Sequence, residues 1–257
     1  MISSAEKQYF SLIKVIEETG VRRTPTKGPC SAIFGYTITL PPDEVPLLQG
    51  RKIYWEGLVG ELKAFIANEN TVSGFERQGC NFWGAWSKAD GSLDVDYARL
   101  LHDFNGVHQL KRVINQLENK QESRKIVISL WDPSSNALQV PCVLSYQWSV
   151  ADGKLDMIWT QRSADVMVGL ASDMFSAWLF NRLLAKTVGL APGKVIMNIG
   201  DAHIYDVHRS KIIDYTTELW AKHRSNPEVH IVGNIWKFGI KISDYNPTNR
   251  VKFELLS

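Results

Sequence analysis

The sequence has few cysteines, almost no net charge and no long apolar run. Its three cysteines, Cys30, Cys80 and Cys142, include no Cys-x-x-Cys pair, which argues against a disulfide framework or a zinc site and for a reducing compartment. No apolar run reaches about 18 residues and no secretory h-region opens the chain, so we expect no membrane span, no export by that route and a cytoplasmic location. A formal net charge of +2 gives no overall field for nucleic acid or a membrane, so an anionic ligand must be held by locally clustered Arg and Lys.

The composition and the spacing of apolar residues indicate a globular chain of mixed α/β class. Hydrophobic residues make up 44% and charged residues 22%, and no repeat or linker divides the chain, which predicts one domain over residues 1–257. Helical spacing occurs at residues 3–18, 55–66, 107–117 and 172–188. β-Branched and aromatic runs predict strands at residues 32–40, 125–131, 140–150, 155–163, 194–204, 229–232 and 251–256. Asp152-Gly153 predicts a tight hairpin turn, and the whole pattern predicts a substantial sheet.

A basic stretch at residues 21–29 follows the first predicted helix. Its two prolines prevent the helix from continuing. The stretch brings Arg22, Arg23 and Lys27 together with two threonine hydroxyls. We therefore expect a loop that can hold an anion.

Cys142 lies within a predicted strand, where a buried structural thiol is the common case. The hairpin, however, places Gln161-Arg162-Ser163 across from the cysteine strand, and a nucleophilic thiolate is favoured by a nearby arginine. Arg162 is therefore a candidate activator of Cys142. The alternative is a surface arginine paired with Asp165.

His203 and Tyr205 are two residues apart, so both side chains lie on one face of an extended segment. Two hydrogen-bonding groups then converge, which suits a sugar or another hydroxyl ligand. A metal site built from His203, His208 and Asp201 has neither a His-x-x-x-His helix nor a cysteine partner. We therefore predict no metal.

An aromatic cluster and a pair of carboxylates complete the candidate groups. Trp83 and Trp86 lie close to Tyr97 in a region rich in turns, where they either pack in the core or form a wall for a flat heterocycle. The predicted helix at residues 55–66 contains Glu56 and Glu61.

Taken together and in order, a series of motifs closely resembles the thymidylate synthase and deoxycytidylate hydroxymethylase superfamily over nearly the whole chain. The motifs are Pro141-Cys142, Gln147, Asp152-Gly153-Lys154-Leu155, Gln161-Arg162-Ser163-Ala164-Asp165, Gly169-Leu170 and Gly200-Asp201-Ala202-His203-Ile204-Tyr205. The resemblance implies a large mixed sheet flanked by helices and a homodimer packed through its sheets, with shared active sites. It also implies transfer of a methylene group from 5,10-methylenetetrahydrofolate to C5 of a pyrimidine nucleotide.

The resemblance assigns a role to each candidate residue. Cys142 matches the nucleophile that adds to C6 of the pyrimidine, and Glu61, preferred over Glu56 for its spacing to Trp83, matches the glutamate that organises water and proton transfer. Tyr97 matches an aromatic residue lining the site. The nucleotide-binding matches are Arg23, Arg162, Ser163, Gln161, His203, Tyr205 and Arg124 of the partner subunit. The folate-binding matches are Trp83, Asp165 and Gly169.

Arginines suit the phosphate because a guanidinium binds it with two hydrogen bonds. The chain departs from the family pattern here in two ways. It has Arg124-Lys125 where the family usually has two arginines, and its basic loop is two residues longer, which leaves Arg22 as an alternative to Arg23.

Asp173 bears on the choice of base. Thymidylate synthases have asparagine here, whose amide accepts from N3–H and donates to O4 of uracil. Cytosine has a donor at N4 and an acceptor at N3, so a carboxyl group is complementary to cytosine and repels the uracil O4. The alternative for Asp173 is a helix N-cap. Val143, where most thymidylate synthases have histidine after the nucleophile, is a second departure.

These residues lead to a hypothesis of folate-dependent hydroxymethylation of deoxycytidylate, in which water captures the methylene intermediate. Trp83 and Trp86, which can exclude water, keep open a cytidylate methyltransferase that produces 5-methyl-dCMP and dihydrofolate. An ordinary thymidylate synthase acting on dUMP and an inactive relative that binds a nucleotide or RNA are further alternatives. The resemblance suggests a bacteriophage context, hence the host cytoplasm, and leaves dCMP against CMP open, as well as the roles of Cys30 and Cys80.

Overall fold

The computed structural model describes residues 2–221, 226–248 and 251–255. The helices are α1 (Ser4–Thr19), α2 (Trp55–Ile66), α3 (Val72–Arg77), α4 (Tyr97–His102), α5 (Gln109–Asn119), α6 (Ala171–Thr187), α7 (Asp206–Arg209) and α8 (Ile212–Ala221). The strands are β1 (Val21–Arg23), β2 (Cys30–Leu40), β3 (Val127–Ser129), β4 (Val143–Ala151), β5 (Lys154–Asp165), β6 (Ala191–Tyr205), β7 (Glu228–Asn234) and β8 (Lys237–Ser243). This confirms the expected mixed α/β class.

A six-stranded mixed sheet organises the chain, in the order β1-β2-β6-β5-β4-β3. β5 and β6 are parallel neighbours, and the other pairs are antiparallel. The parallel register places Asp165 beside His203. Two motifs that are about forty residues apart in the sequence therefore lie side by side at one end of the sheet.

One face of the sheet packs against α1 and α6 and forms the core. α6 is buried on most sides, in agreement with its apolar sequence. The opposite face has a groove in which the paired residues Thr37, Asn198 and Thr160 lie in a row. Phe34, at the edge of this groove, is 83% exposed.

The predicted hairpin at Asp152-Gly153 is confirmed. Both residues have positive φ, 50° and 71°, as a two-residue turn that matches the strand twist requires. Asparagine, aspartate and glycine adopt this conformation most easily. The turn joins β4 to β5 and fixes their register as far as Ser145, and a shift between Val143 and Ser145 then places Val143 opposite Gln161.

The strand predicted at residues 251–256 is wrong for its described part, because residues 251–255 form no regular element. Their apolar side chains serve packing instead: Val251 is buried, Phe253 contacts the core and Leu255 lines the cavity described below. The basic stretch also differs from a pure loop, since its first three residues form β1 and pair with β2.

The part of the chain that the structure describes contains no helix long and apolar enough to cross a membrane.

Candidate active site

A cavity of about 390 Å³ lies at the core side of the sheet, between β4, β5 and β6 and helices α2, α4 and α6. This volume is typical of small-molecule sites. The residues assigned from the sequence that line it are Glu61, Trp83, Tyr97, Cys142, Gln161, Arg162, Ser163, Asp165, Gly169, Asp173, His203 and Tyr205. Arg23 and Arg124 do not line it.

Cys142 lies immediately before β4 and lines the cavity. Its backbone N–H donates to the Tyr97 hydroxyl over 2.9 Å, which fixes the backbone that carries the thiol. Burial raises the pKa of the Cys142 thiol, and the positive charge of Arg162 opposes that effect. Loss of the thiol proton is therefore disfavoured in the free protein, and a role as nucleophile would require a group that removes this proton.

Arg162 is fixed next to Cys142 by hydrogen bonds to backbone carbonyls. Its Nε donates to the Pro141 carbonyl over 3.0 Å and its Nη2 to the Val140 carbonyl over 3.1 Å. The alternative partner, Asp165, is used elsewhere: its Oδ1 accepts from the backbone of the turn that precedes α6. The guanidinium is therefore free of that ion pair and supplies positive charge at the cavity wall.

Glu61 is a half-buried carboxyl group at the wall of the cavity. It accepts a hydrogen bond from Trp83 Nε1 over 2.7 Å. Burial raises the pKa of Glu61 to about 8, the Trp83 hydrogen bond opposes this, and the charge of Asp173 adds to it. Glu61 therefore holds a proton at neutral pH and can exchange it near the working pH. Glu56, its rival in the sequence, is exposed in the first turn of the same helix.

Asp173 lies in the first turn of α6 and projects into the same cavity. The N-cap alternative is wrong, because the residue before the helix is Leu170 and the Asp173 Oδ2 accepts from Gln161 Nε2 over 2.8 Å. Burial raises the pKa of Asp173 to about 6, and the Gln161 hydrogen bond opposes the shift. Near neutral pH this carboxyl group can therefore be either an acceptor or a donor.

A π-helical turn, Val166–Leu170, sets the start of α6. Such turns are rare and frequently occur at functional sites. Gly169 within it faces the cavity, and a Cβ there would meet no atom closer than the Asp173 Oδ2 at 3.9 Å. The turn thus leaves open space between Asp165 and Asp173.

His203 and Tyr205 both line the cavity from β6, with ring centroids 4.9 Å apart. Nδ1 of His203 lies 2.9 Å from Asp201 Oδ1, which orients the ring and leaves Nε2 for a ligand. Among the described residues, no group of three or more His, Cys, Asp or Glu side chains could hold a metal ion.

The basic stretch at residues 21–29 brings a different residue to the cavity from the one that the sequence predicts. Arg23 lies 2.5 Å from Asp201 Oδ2, and Arg22 forms an ion pair with Asp206. It is Lys27 that lines the cavity. Arg124 is exposed between α5 and β3. The phosphate-binding roles of Arg23 and Arg124 thus stay predictions.

Sequence reasoning missed Tyr146 and Trp159, which also line the cavity. Val143 and Tyr146 both face it although they are three residues apart, because the register of β4 shifts between Val143 and Ser145. Strict alternation along a strand cannot reveal such a pair. Trp159 could have been found by alternation, since it lies two residues before Gln161 on the same face of β5.

We expect Glu61→Gln to stabilise the protein at alkaline pH. In wild type the folded state holds the proton more tightly than the unfolded chain, so this stabilisation is complete below pH 4.5 and is lost as pH rises through about 8. The glutamine keeps an acceptor for Trp83 and has no charge to bury. After allowance for screening in the open cavity, the variant should gain about 1–2 kcal/mol over wild type between pH 5 and pH 8.5.

Urea unfolding at both pH values measures this difference. Glu56→Gln, on the exposed side of the same helix, is the matched control and should follow wild type. Equal pH dependence in wild type and Glu61→Gln would contradict the assigned proton at Glu61.

The cavity thus brings a cysteine beside an arginine together with two carboxyl groups whose pKa values are raised, on a mixed sheet, which is a site able to transfer protons around a thiol. The family model described as thymidylate synthase matches residues 7–257, and the chain belongs to the thymidylate synthase family. The family acts on a pyrimidine nucleotide and uses methylenetetrahydrofolate as cosubstrate, and the sheet and its flanking helices are consistent with its fold.

Two curated relatives show the degree of similarity. The thymidylate synthase of Mycoplasma pneumoniae (strain ATCC 29342 / M129 / Subtype 1) is 31% identical, over 80% of this chain and 83% of the relative. The thymidylate synthase of Coxiella burnetii (strain Dugway 5J108-111) is 30% identical, over 88% of each chain.

Proposed function

We propose that this chain catalyses the C5 hydroxymethylation of deoxycytidylate, in which dCMP, 5,10-methylenetetrahydrofolate and water give 5-hydroxymethyl-dCMP and tetrahydrofolate. One observation carries the proposal: Asp173, which the family resemblance matches to the asparagine that reads uracil, lines the cavity and has a pKa raised to about 6. Its carboxyl group accepts from the cytosine amino group and, when protonated, donates to N3. Uracil O4 would face a carboxylate oxygen, and both are acceptors.

The nucleophile and the proton-transfer group face the same space. The Cys142 sulfur forms a bond to C6 of the base, which makes C5 nucleophilic, and methylenetetrahydrofolate supplies the one-carbon unit. Tyr97 holds the backbone of the nucleophile. Glu61, with a pKa raised to about 8, is poised to take and return protons at the base and at a nearby water.

The wall around Trp83 fits a flat folate ring. Trp83 and Trp86 have ring centroids 5.1 Å apart and both line the cavity. The Asp165 carboxyl group and the open surface at Gly169 lie on the same cavity. We assign folate binding to these four residues, with the aromatic rings as the stacking surface.

We also propose a homodimer that pairs the open faces of two sheets. The exposed Phe34 and the row of Thr37, Asn198 and Thr160 leave a sheet face that no described helix covers. Arg162 lines both that groove and the cavity. In such a dimer, Arg124 of the partner subunit could bind the phosphate beside Arg162. The phosphate would then be held by local arginines and would not need a large net positive charge on the molecule.

Product analysis tests the reaction. The enzyme is incubated with methylenetetrahydrofolate and, in separate reactions, dCMP, CMP or dUMP, and the nucleotide product is weighed by mass spectrometry. We expect dCMP to gain a hydroxymethyl group while tetrahydrofolate forms. A methyl product accompanied by dihydrofolate absorbance would contradict the hydroxymethyl proposal, and turnover of dUMP in preference to dCMP would contradict the assignment of the base.

A further inference from the structure

Two buried side chains, Trp159 and Gln161, form a chain of hydrogen bonds that ends on the half-buried Asp173. Trp159 Nε1 donates to Gln161 Oε1 over 2.9 Å. Gln161 Nε2 donates to the Ser163 carbonyl over 3.0 Å and to Asp173 Oδ2 over 2.8 Å. Gln161 is only 2% exposed, so water does not compete for these contacts.

The chemistry of the partners fixes which way the Gln161 amide points. The indole N–H of Trp159 can only donate, so the atom that meets it must be the amide oxygen. The carbonyl of Ser163 can only accept, so it must meet the amide nitrogen. Two independent partners therefore exclude the flipped amide, and the second N–H of Gln161 has to point at Asp173.

This orientation fixes the hydrogen bonding of the Asp173 carboxyl group. Oδ2 already accepts from Gln161, so a proton on the carboxyl group is directed to Oδ1. We propose that Trp159 is a positioning residue that selects for cytosine: by fixing the Gln161 amide it makes Asp173 present an acceptor at one oxygen and a titratable position at the other. This inference rests on the proposed function, in which Asp173 reads the base.

Without the indole N–H, Gln161 Oε1 loses its buried donor, and the amide is held only from its nitrogen side, by the Ser163 carbonyl and Asp173. The amide can then tilt, which weakens its hydrogen bond to Asp173 Oδ2, and weakening a donor to the carboxylate raises the pKa of Asp173. The proton is then no longer confined to Oδ1, and a proton on Oδ2 lets that oxygen donate to uracil O4, so discrimination against dUMP falls. The same change shifts the pH dependence of dCMP turnover to higher pH. The other titratable groups that face Asp173 are Glu61, Tyr97, Cys142 and Tyr146.

Trp159→Phe removes the donor and keeps an aromatic ring. The matched control is Trp148→Phe, because Trp148 is 2% exposed in the adjacent β4 and its indole N–H has no partner among the described residues. For each variant, kcat/KM is measured with dCMP and with dUMP across the pH range. If a variant folds poorly, 3-benzothienylalanine at the same position keeps the bicyclic shape and removes only the N–H.

We expect Trp159→Phe to lower the ratio of kcat/KM for dCMP to that for dUMP about 3- to 10-fold, as the loss of one hydrogen bond allows. The apparent pKa of dCMP turnover should rise, and Trp148→Phe should change neither quantity. An unchanged ratio and pH profile in Trp159→Phe, or equal changes in both variants, would overturn the inference. A wild type that prefers dUMP would instead overturn the proposed function, and the shift of the pH profile in Trp159→Phe, measured with dUMP, would still test the positioning role.

Discussion

Replacing Asp173 by asparagine should transfer the preference of the enzyme from dCMP to dUMP. The Gln161 amide donates to the side chain at position 173, so it would meet the asparagine oxygen and leave the asparagine NH₂ to face the base. That group donates to uracil O4 and opposes the cytosine amino group. We expect the ratio of kcat/KM for dCMP to that for dUMP to fall at least about a hundredfold, since a site built around a polar contact rejects the mismatched partner strongly.

Steady-state rates with both nucleotides measure this ratio. Asp90→Asn is the control for the loss of one carboxylate. Asp90 lies in an exposed turn, far along the chain from the cavity residues of β5 and α6, so its substitution should leave the ratio unchanged. The asparagine has no titratable carboxyl group, so any change in kcat/KM at acidic pH that arises from Asp173 should also disappear. A variant that keeps the wild-type preference would show that the base is read elsewhere.

The sequence predicted the class of fold because its signals are local. The Asp152-Gly153 turn and the alternating strands on either side of it specify a hairpin without reference to the rest of the chain. The parallel pairing of β5 with β6 is different in kind, since it depends on packing between distant segments. Residue patterns alone could not predict that the motif around Arg162 and the motif around His203 lie side by side. Only the family resemblance placed both in one site.

In the candidate site, too, local signals were predictable from the sequence and contacts between side chains were not. Cys142 was a candidate from its position across the hairpin from Arg162, whereas Glu61 was chosen over Glu56 only through the family resemblance, and both line the cavity. Alternation along β5 could have placed Trp159 on the wall of the cavity, but its hydrogen bond to Gln161 depends on an amide orientation that the sequence does not show. The apolar residues 251–255 were assigned to a strand because periodicity cannot distinguish pairing from packing against a core.

Replacing Cys142 by serine should abolish turnover and leave nucleotide binding nearly intact. The hydroxyl is a far weaker nucleophile than the thiolate, while the groups expected to bind the nucleotide, such as His203 and Tyr205, are unchanged. We expect kcat to fall at least about a thousandfold and the Kd for dCMP to change less than about threefold. Calorimetric titration and a product assay measure the two quantities. Cys30→Ser, a buried thiol that does not line the cavity, should remain active.

Mixing this variant with Arg124→Ala tests the nucleophile and the shared site together. In a hybrid dimer one site combines the intact Cys142 of one subunit with Arg124 of the partner subunit. If the site is shared, two variants that are each nearly inactive should regain roughly a quarter of the wild-type rate on mixing, because about half of the dimers are hybrid and each has one complete site. An Arg124→Ala variant that keeps full activity would contradict the role of Arg124. The absence of any recovery when both variants are inactive would contradict a shared site. Unchanged turnover in Cys142→Ser would contradict the nucleophile, and a wild type that binds dCMP without turnover would indicate a binding protein.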